Sequence, residues 1–178
     1  WGWTGPCLRA AGVPYDVRKA HPYYDYDQFD WQVPVGTTGD VYDRYLVRME
    51  EMRQSLSIVA QALDDLPDGP VNVDDWTISP PPKDAVYNTI EGMVAHFKLV
   101  FEGVQVPAGE VYSYTEGANG ELGFYIVSDG GGQPYRIHCR APCFAIYQNI
   151  GQSLEGCMLS DIVAILGSLN VIAGELDR

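Results

Sequence analysis

Apolar residues follow two rhythms along this 178-residue chain, with unpatterned runs between them. From Asp40 onward the positions Tyr42, Tyr45, Met49, Met52, Leu56, Val59 and Leu63 step by threes and fours. That spacing collects them on one stripe of a helix of about 25 residues, packed against another helix. Asp40 sits where an N-cap is wanted, and Asp43, three residues on, can answer the exposed amides of the first turn. The same step returns in Tyr87, Ile90, Val94, Phe97 and Phe101, with Asp84 as the expected cap and Gly103 as the stop. The two seams are expected to face each other and bury Met49, Met52, Leu56, Phe97 and Phe101.

The second rhythm is extended. Residues 109–116, 122–129 and 134–140 read as strands, separated by the turn signals Ala118-Asn119-Gly120 and Gly130-Gly131-Gly132, which predicts an antiparallel meander. Two short helices, at roughly 143–152 and 158–167, complete the pattern. Residues 1–38 are loop-rich, punctuated by Gly5-Pro6, Gly12, Pro14, Pro22 and Pro34. An acidic loop at 64–70 and the extended Ser79-Pro80-Pro81-Pro82 link the long helices. The expected class is α+β: long antiparallel helices, a small antiparallel β-meander and two short C-terminal helices, in one domain over 1–178. The apolar strip Val171-Ile172-Ala173, running into Glu175-Leu176-Asp177-Arg178, is expected to be packed, because exposed terminal sequence is normally polar and frayed.

Composition narrows the partners. A net charge of −13 with only 11 Lys and Arg argues against nucleic acid, which needs a basic stripe, and against adhesion to anionic lipid. No apolar run reaches the ~20 residues that span a bilayer. Cys7, Cys139, Cys143 and Cys157 are too few and too irregular for a disulfide framework, so reduced thiols are expected. The chain opens at Trp1 without an initiating Met, and it reads as a partial chain.

Candidate chemistry is sparse. His21, His96 and His138 stand far apart, none at metal-ligand spacing with Cys or carboxylate partners. Cys139-x-x-x-Cys143 falls at a strand-to-helix junction that would point the thiols apart. No Gly-x-Gly-x-x-Gly follows a strand, and no phosphate loop or nucleophile elbow occurs. On the first long helix, Asp40–Arg44 and Arg48–Glu51 stand at ion-pair spacing. This charged face is either solvated or docked on a partner where Arg–carboxylate pairs fix register.

Several ordered segments carry a family resemblance. They include Thr4-Gly5-Pro6-x-Leu8-Arg9, Tyr15-Asp16-x-Arg18-Lys19, Val33-Pro34-Val35-Gly36-Thr37 and Gly39-Asp40-x-Tyr42-Asp43-Arg44-Tyr45-Leu46-Val47-Arg48. Glu50-Glu51-Met52-Arg53-Gln54-Ser55, Val106-Pro107-Ala108-Gly109-Glu110, Val127-Ser128-Asp129-Gly130 and Arg140-Ala141-Pro142 follow, then the tail. The chain resembles the C-terminal part of the 49 kDa (D-type) subunit family of NADH:quinone oxidoreductase, respiratory complex I. The resemblance implies a peripheral membrane protein on the cytoplasmic face of the bacterial inner membrane, or on the matrix side in mitochondria. It implies a wall of the quinone cavity and two main partners: the subunit that carries the terminal iron–sulfur cluster, and the membrane-arm subunit at the quinone entrance. Quinone is then a substrate, iron–sulfur clusters and FMN belong to partner subunits, and this chain binds no cofactor of its own.

By the same resemblance the tail residues Gly167, Asn170, Ile172 and Arg178 line the cavity, with Arg178 held by an acidic partner. Asn170 stands where Asp is commoner. No catalytic residue is assigned, since the family's quinone-headgroup His and Tyr belong to the other half of the subunit. The family's kinship with nickel–iron hydrogenase large subunits places the motif Asp-Pro-Cys-x-x-Cys-x-x-His on Ala141-Pro142-Cys143-x-x-Ile146-x-x-Asn149. Pro142, Cys143 and Ile146 therefore read as vestiges of a lost metal motif, with one thiol kept and the other replaced by Ile146. That weighs against the alternative of an energy-converting hydrogenase. A purely structural interaction module is the other alternative.

Overall fold

The computed structural model describes residues 1–177. They gather into two compact units. The first comprises residues 1–66, 113–124 and 139 onward; the second comprises 67–112 and 125–138.

In the first unit, α1 (Gly5–Ala10) and α2 (Val17–Ala20) arise in the segment expected to be loop-rich. Helix α1 has Pro6 in its first turn, where a missing amide costs nothing. It can start only because two glycines meet. Gly5 has φ +71°, and a Cβ there would lie 2.5 Å from the Cα of Gly120, itself at φ +136°. The Thr4-Gly5-Pro6 motif is thus a close backbone crossing onto a turn, which side chains would forbid. Helix α2 is capped by Asp16, whose carboxylate accepts from the Arg18 amide at 2.9 Å.

The long helix α3 (Val41–Asp64) forms where the periodicity placed it. Asp40 caps it, accepting from the Asp43 amide at 2.8 Å. Asp43 turns the other way and gathers the amides of Thr37, Thr38 and Gly39 and the Thr38 hydroxyl. Those donors hold its carboxyl well below the usual range, at about 2. The face that α3 buries is not the expected one. Arg44, Val47 and Ile58 are buried, whereas Tyr42, Met52, Leu56 and Leu63 are exposed, Leu56 at 70 %. The helix carries two stripes. The less apolar one wins because Arg44 and Glu51 find polar partners inside the unit.

Around this helix the core gathers from distant segments. Cys7, Ile146, Ile165 and Leu169 pack together, flanked by Trp3, Val41, Ile150, Leu154 and Val171. The C-terminal region supplies α6 (Pro142–Gln148), α7 (Ile150–Leu154), α8 (Asp161–Leu169) and α9 (Ala173–Asp177). Two helices were expected here. Asn149, at the junction of α6 and α7, and the left-handed Asn170 after α8 divide the run further.

In the second unit, α4 (Lys83–Asn88) and α5 (Ile90–Phe101) replace the single helix expected from Asp84. Thr89 adopts an extended conformation and caps α5, its hydroxyl accepting from the Gly92 amide at 3.0 Å. The cap is therefore Thr89, not Asp84, which instead accepts from the Asn88 side chain. The apolar seam of α5 is also outward, with Phe97 at 57 % and Phe101 at 74 % exposure. These two rings stack at 4.4 Å. The expected burial of Met52, Leu56, Phe97 and Phe101 is thus overturned.

The meander forms as β1 (Gly109–Gly117), β2 (Gly120–Ser128) and β3 (Arg136–Arg140), in the order β1-β2-β3. A two-residue turn at Ala118-Asn119 requires β1 and β2 to be antiparallel. Among the described residues no helix is long and apolar enough to cross a membrane.

Candidate functional site

Asn170 and Ile172, two of the tail residues singled out in the sequence, lie at one corner of the first unit. Helix α8 ends at Asn170, which takes φ +55°, ψ +44°. Asn tolerates this left-handed geometry better than other residues with a Cβ. Its side-chain amide donates to Asn119 Oδ1 at 2.7 Å, and Asn119 Nδ2 donates back to the Asn170 carbonyl at 3.0 Å. The hairpin turn therefore grips the point where the chain reverses. Asn119 is buried and also donates to Cys143 Sγ at 3.2 Å.

Beyond the reversal, Ile172 is 54 % exposed. Gly167 is exposed and lines a groove of about 440 Å³ between α3 and α8. Asn170 and Ile172 thus lie together, Gly167 opens onto the neighbouring groove, and Arg178 lies outside the described residues.

The residues read as vestiges of a metal motif sit behind this corner. Pro142, Cys143 and Ile146 are buried on α6, and Ile146 is part of the core. Burial pushes the Cys143 thiol up, and Glu175 adds to this. Glu175 also accepts from the Cys143 amide at 3.3 Å, fastening α9 to the start of α6. Cys139 is on β3 and Cys143 on α6.

A second cluster was not legible in the sequence. Arg9 is 1 % exposed and meets three carboxylates: Glu51 at 2.6 Å, Glu116 at 2.8 Å and Asp16 at 3.4 Å. Arg9 also donates to the Tyr15 carbonyl at 3.0 Å. Arg18 closes the other side of Asp16 with a two-pronged pair at 2.8 and 3.0 Å. Burial opposes the Arg9 charge, but Glu51 and Glu116 outweigh it and hold the guanidinium above its usual range. For Glu116 the balance falls the other way: burial lifts its carboxyl above the ordinary value, more than Arg9 draws it down. With three carboxylates against Arg9 and Arg18, the cluster carries one negative charge too many. Beside it, burial and Glu121 push the Tyr15 phenol up to about 12.

The expected ion pairs of α3 do not form. Among the described residues, Arg44 and Arg48 have no carboxylate within 4.0 Å. Asp40 is engaged as a cap and Glu51 is taken by Arg9. The exposed pair on this helix is Glu50–Arg53 at 2.9 Å.

Long apolar stripes on α3 and α5 are left open beside these walled-in polar clusters. Comparison with known proteins gives the chain a family. Residues 1–178 match the family described as "Respiratory-chain NADH dehydrogenase, 49 Kd subunit", and the chain belongs to it. It is 57 % identical over 178 residues to the D subunit of NADH-quinone oxidoreductase from Myxococcus xanthus, covering 100 % of this chain and 43 % of that protein. It is 59 % identical over 178 residues to the D subunit numbered 1 in Sorangium cellulosum, covering 99 % and 44 %. The C/D subunit of the Bdellovibrio bacteriovorus enzyme is 57 % identical over 178 residues, covering 100 % and 32 %. The chain spans less than half the length of these relatives.

Proposed function

We propose that this chain serves in an NADH:quinone oxidoreductase as part of its D subunit, with the corner at Gly167, Asn170 and Ile172 forming wall of the quinone cavity. The observation that carries the reading is the family match over residues 1–178. The geometry of the corner supports it. The Asn119–Asn170 amide pair fixes the reversal, and an apolar side chain is left half-open beyond it, at Ile172. Fixed polar groups next to an open apolar surface are what an apolar ring with carbonyl oxygens requires of its site.

In this reading the chain holds no redox group. Electrons from NADH reach quinone through FMN and iron–sulfur clusters held by partner subunits. Its neighbours are the subunit with the terminal cluster and the membrane-arm subunit at the quinone entrance, and it associates peripherally with the membrane on the cytoplasmic or matrix side. Pro142, Cys143 and Ile146 stand as remnants of a hydrogenase-type metal motif, now given to packing.

Photolabelling of the intact enzyme with a quinone analogue tests the assignment: label is expected on residues 167–178. Ile172→Met should change inhibitor affinity by about 1–3 kcal/mol, the scale of a methylene in an apolar pocket, with assembly intact. Unchanged inhibitor titration, together with quinone reduction surviving deletion of 171–178, would remove the corner from the cavity.

A further inference from the structure

Two guanidinium groups of the first unit, Arg44 buried and Arg48 half-buried, have no carboxylate within 4.0 Å among the described residues. Arg44 is 8 % exposed; its Nε donates to Ser168 Oγ at 2.9 Å and its Nη1 to the Gly39 carbonyl at 2.8 Å. Arg48 donates from Nη1 to the Arg44 carbonyl at 3.2 Å and from Nη2 to Cys7 Sγ at 3.7 Å. Its Nε is buried without a partner. Every acceptor that the two groups reach is neutral. A buried cation met only by neutral acceptors leaves most of its desolvation cost standing. Burial accordingly holds Arg44 below the usual arginine range.

Arg48 and Ser168 line the groove between α3 and α8, together with Val41, Tyr45, Met49 and Met52. The groove is one end of a longer surface. The exposed stripe of α3 runs from Tyr42 through Tyr45, Met52, Leu56 and Val59 to Leu63, about 32 Å at 1.5 Å per residue. A small ligand could fill the groove and would leave most of the stripe wet. A helix lying along α3 would cover all of it, since side chains stepping by three and four form the ridges that another helix packs into.

We propose that this face of α3 seats a helix of the same subunit, from outside the stretch present here, and that this helix carries an aspartate or glutamate to Arg44 and Arg48. Charge complementarity fixes the chemistry: Arg48 lines the groove with Arg44 one turn away, no carboxylate lining the groove answers them, and a carboxylate can meet the guanidinium fork with two parallel hydrogen bonds. The length of the relatives points to the source. The matched stretch is 43 % of the Myxococcus protein, so a full-length relative has more than this length again to pack. The inference requires membership of the family and is independent of the quinone role of the tail.

The test places the photo-crosslinking amino acid p-benzoylphenylalanine at Met52 of the full-length subunit in the assembled enzyme. The adduct is expected within the same subunit, on a helical peptide outside the matched stretch that holds Asp or Glu within two turns of the attachment point. Attachment to another subunit or to lipid, or no adduct at all, would overturn the proposal. A second arm compares Arg48→Glu with Arg48→Lys. Crosslink yield is expected to fall about tenfold or more in the first and to stay within about twofold in the second, as for a buried charge pair reversed or kept. Equal yields in both would show that the carboxylate is absent, even if the helix were present.

Discussion

Two buried arginine sites in the same unit make opposite use of the same side chain. Arg9 is ringed by Asp16, Glu51 and Glu116, whereas Arg44 and Arg48 end on carbonyl, hydroxyl and thiol groups. The first site has all the charge it needs, and more. Arg9 lies on α1 and its partners come from the Asp16 cap, α3 and β1, so the site locks four segments into one arrangement. The second site is complete in shape and incomplete in charge. Burial of an arginine is therefore not one kind of evidence: with carboxylates around it, it reports a finished interior, and without them it reports a surface still to be covered.

The comparison can be broken most severely at Arg9. Arg9→Met leaves Glu51 and Glu116 without their cation, and should cost about 3–5 kcal/mol, the usual penalty for stranding buried charge. Denaturant midpoints for this polypeptide would measure it. Arg48→Met, which strands nothing, should fall within about 1 kcal/mol of the parent. Equal losses would mean that the two sites do not differ in the way described.

The second effect depends on how much of the subunit is present. In the full-length protein Leu56→Ala should lose about 2–5 kcal/mol, as a core leucine does. In the 178-residue chain, where Leu56 is 70 % exposed, the same change should stay within about 0.5 kcal/mol. Thermal unfolding of the two forms side by side gives the answer.

A subtler contrast lies in pH. Burial raises the folded value of Glu116 above its ordinary 4.5, so the fold favours the protonated acid. The stabilisation linked to it is fully present below that ordinary value and is lost as pH rises through the raised one. Glu116→Gln should flatten that part of a plot of unfolding midpoint against pH. Asp43 has the reverse sign. Its carboxyl is lowered to about 2 from 3.8, so its contribution is present above 3.8 and lost as pH falls through about 2. Asp43→Asn should remove only this acid-side slope.

Much of the architecture was legible in the residue pattern. The long helix with its Asp40 cap, the meander and the turn at Ala118-Asn119 follow from periodicity and turn chemistry, which act locally. The buried face of α3 was not legible. Apolar spacing identified a stripe made to be covered, but what lies against α3 in this chain is chosen by Arg9, Ser168 and the Gly39 carbonyl, all outside the helix. The break at Thr89 was missed because a capping hydroxyl can interrupt a run whose 3-4 spacing continues across it. Of the candidate site, the sequence located the tail. The Arg9 cluster escaped because positions 9, 16, 51 and 116 share no local pattern, though the matched segments held Arg9, Asp16, Arg18 and Glu51, every member but Glu116.

The crossing of α1 over the hairpin turn has a consequence for how the chain is made. The Cys7 thiol donates to the Leu169 carbonyl, 162 residues away. Thr4 takes the Glu121 amide, 117 residues on, and the Arg140 guanidinium, 136 residues on. Contacts of such separation make for slow folding, because loop closure comes before any contact rewards it. At typical ribosomal speeds, roughly 10–30 s pass between synthesis of α1 and of the residues it must meet. Throughout that interval Cys7 has no Leu169 carbonyl, and Thr4 no Arg140 guanidinium, to meet. The first unit therefore closes only after α8 has been made.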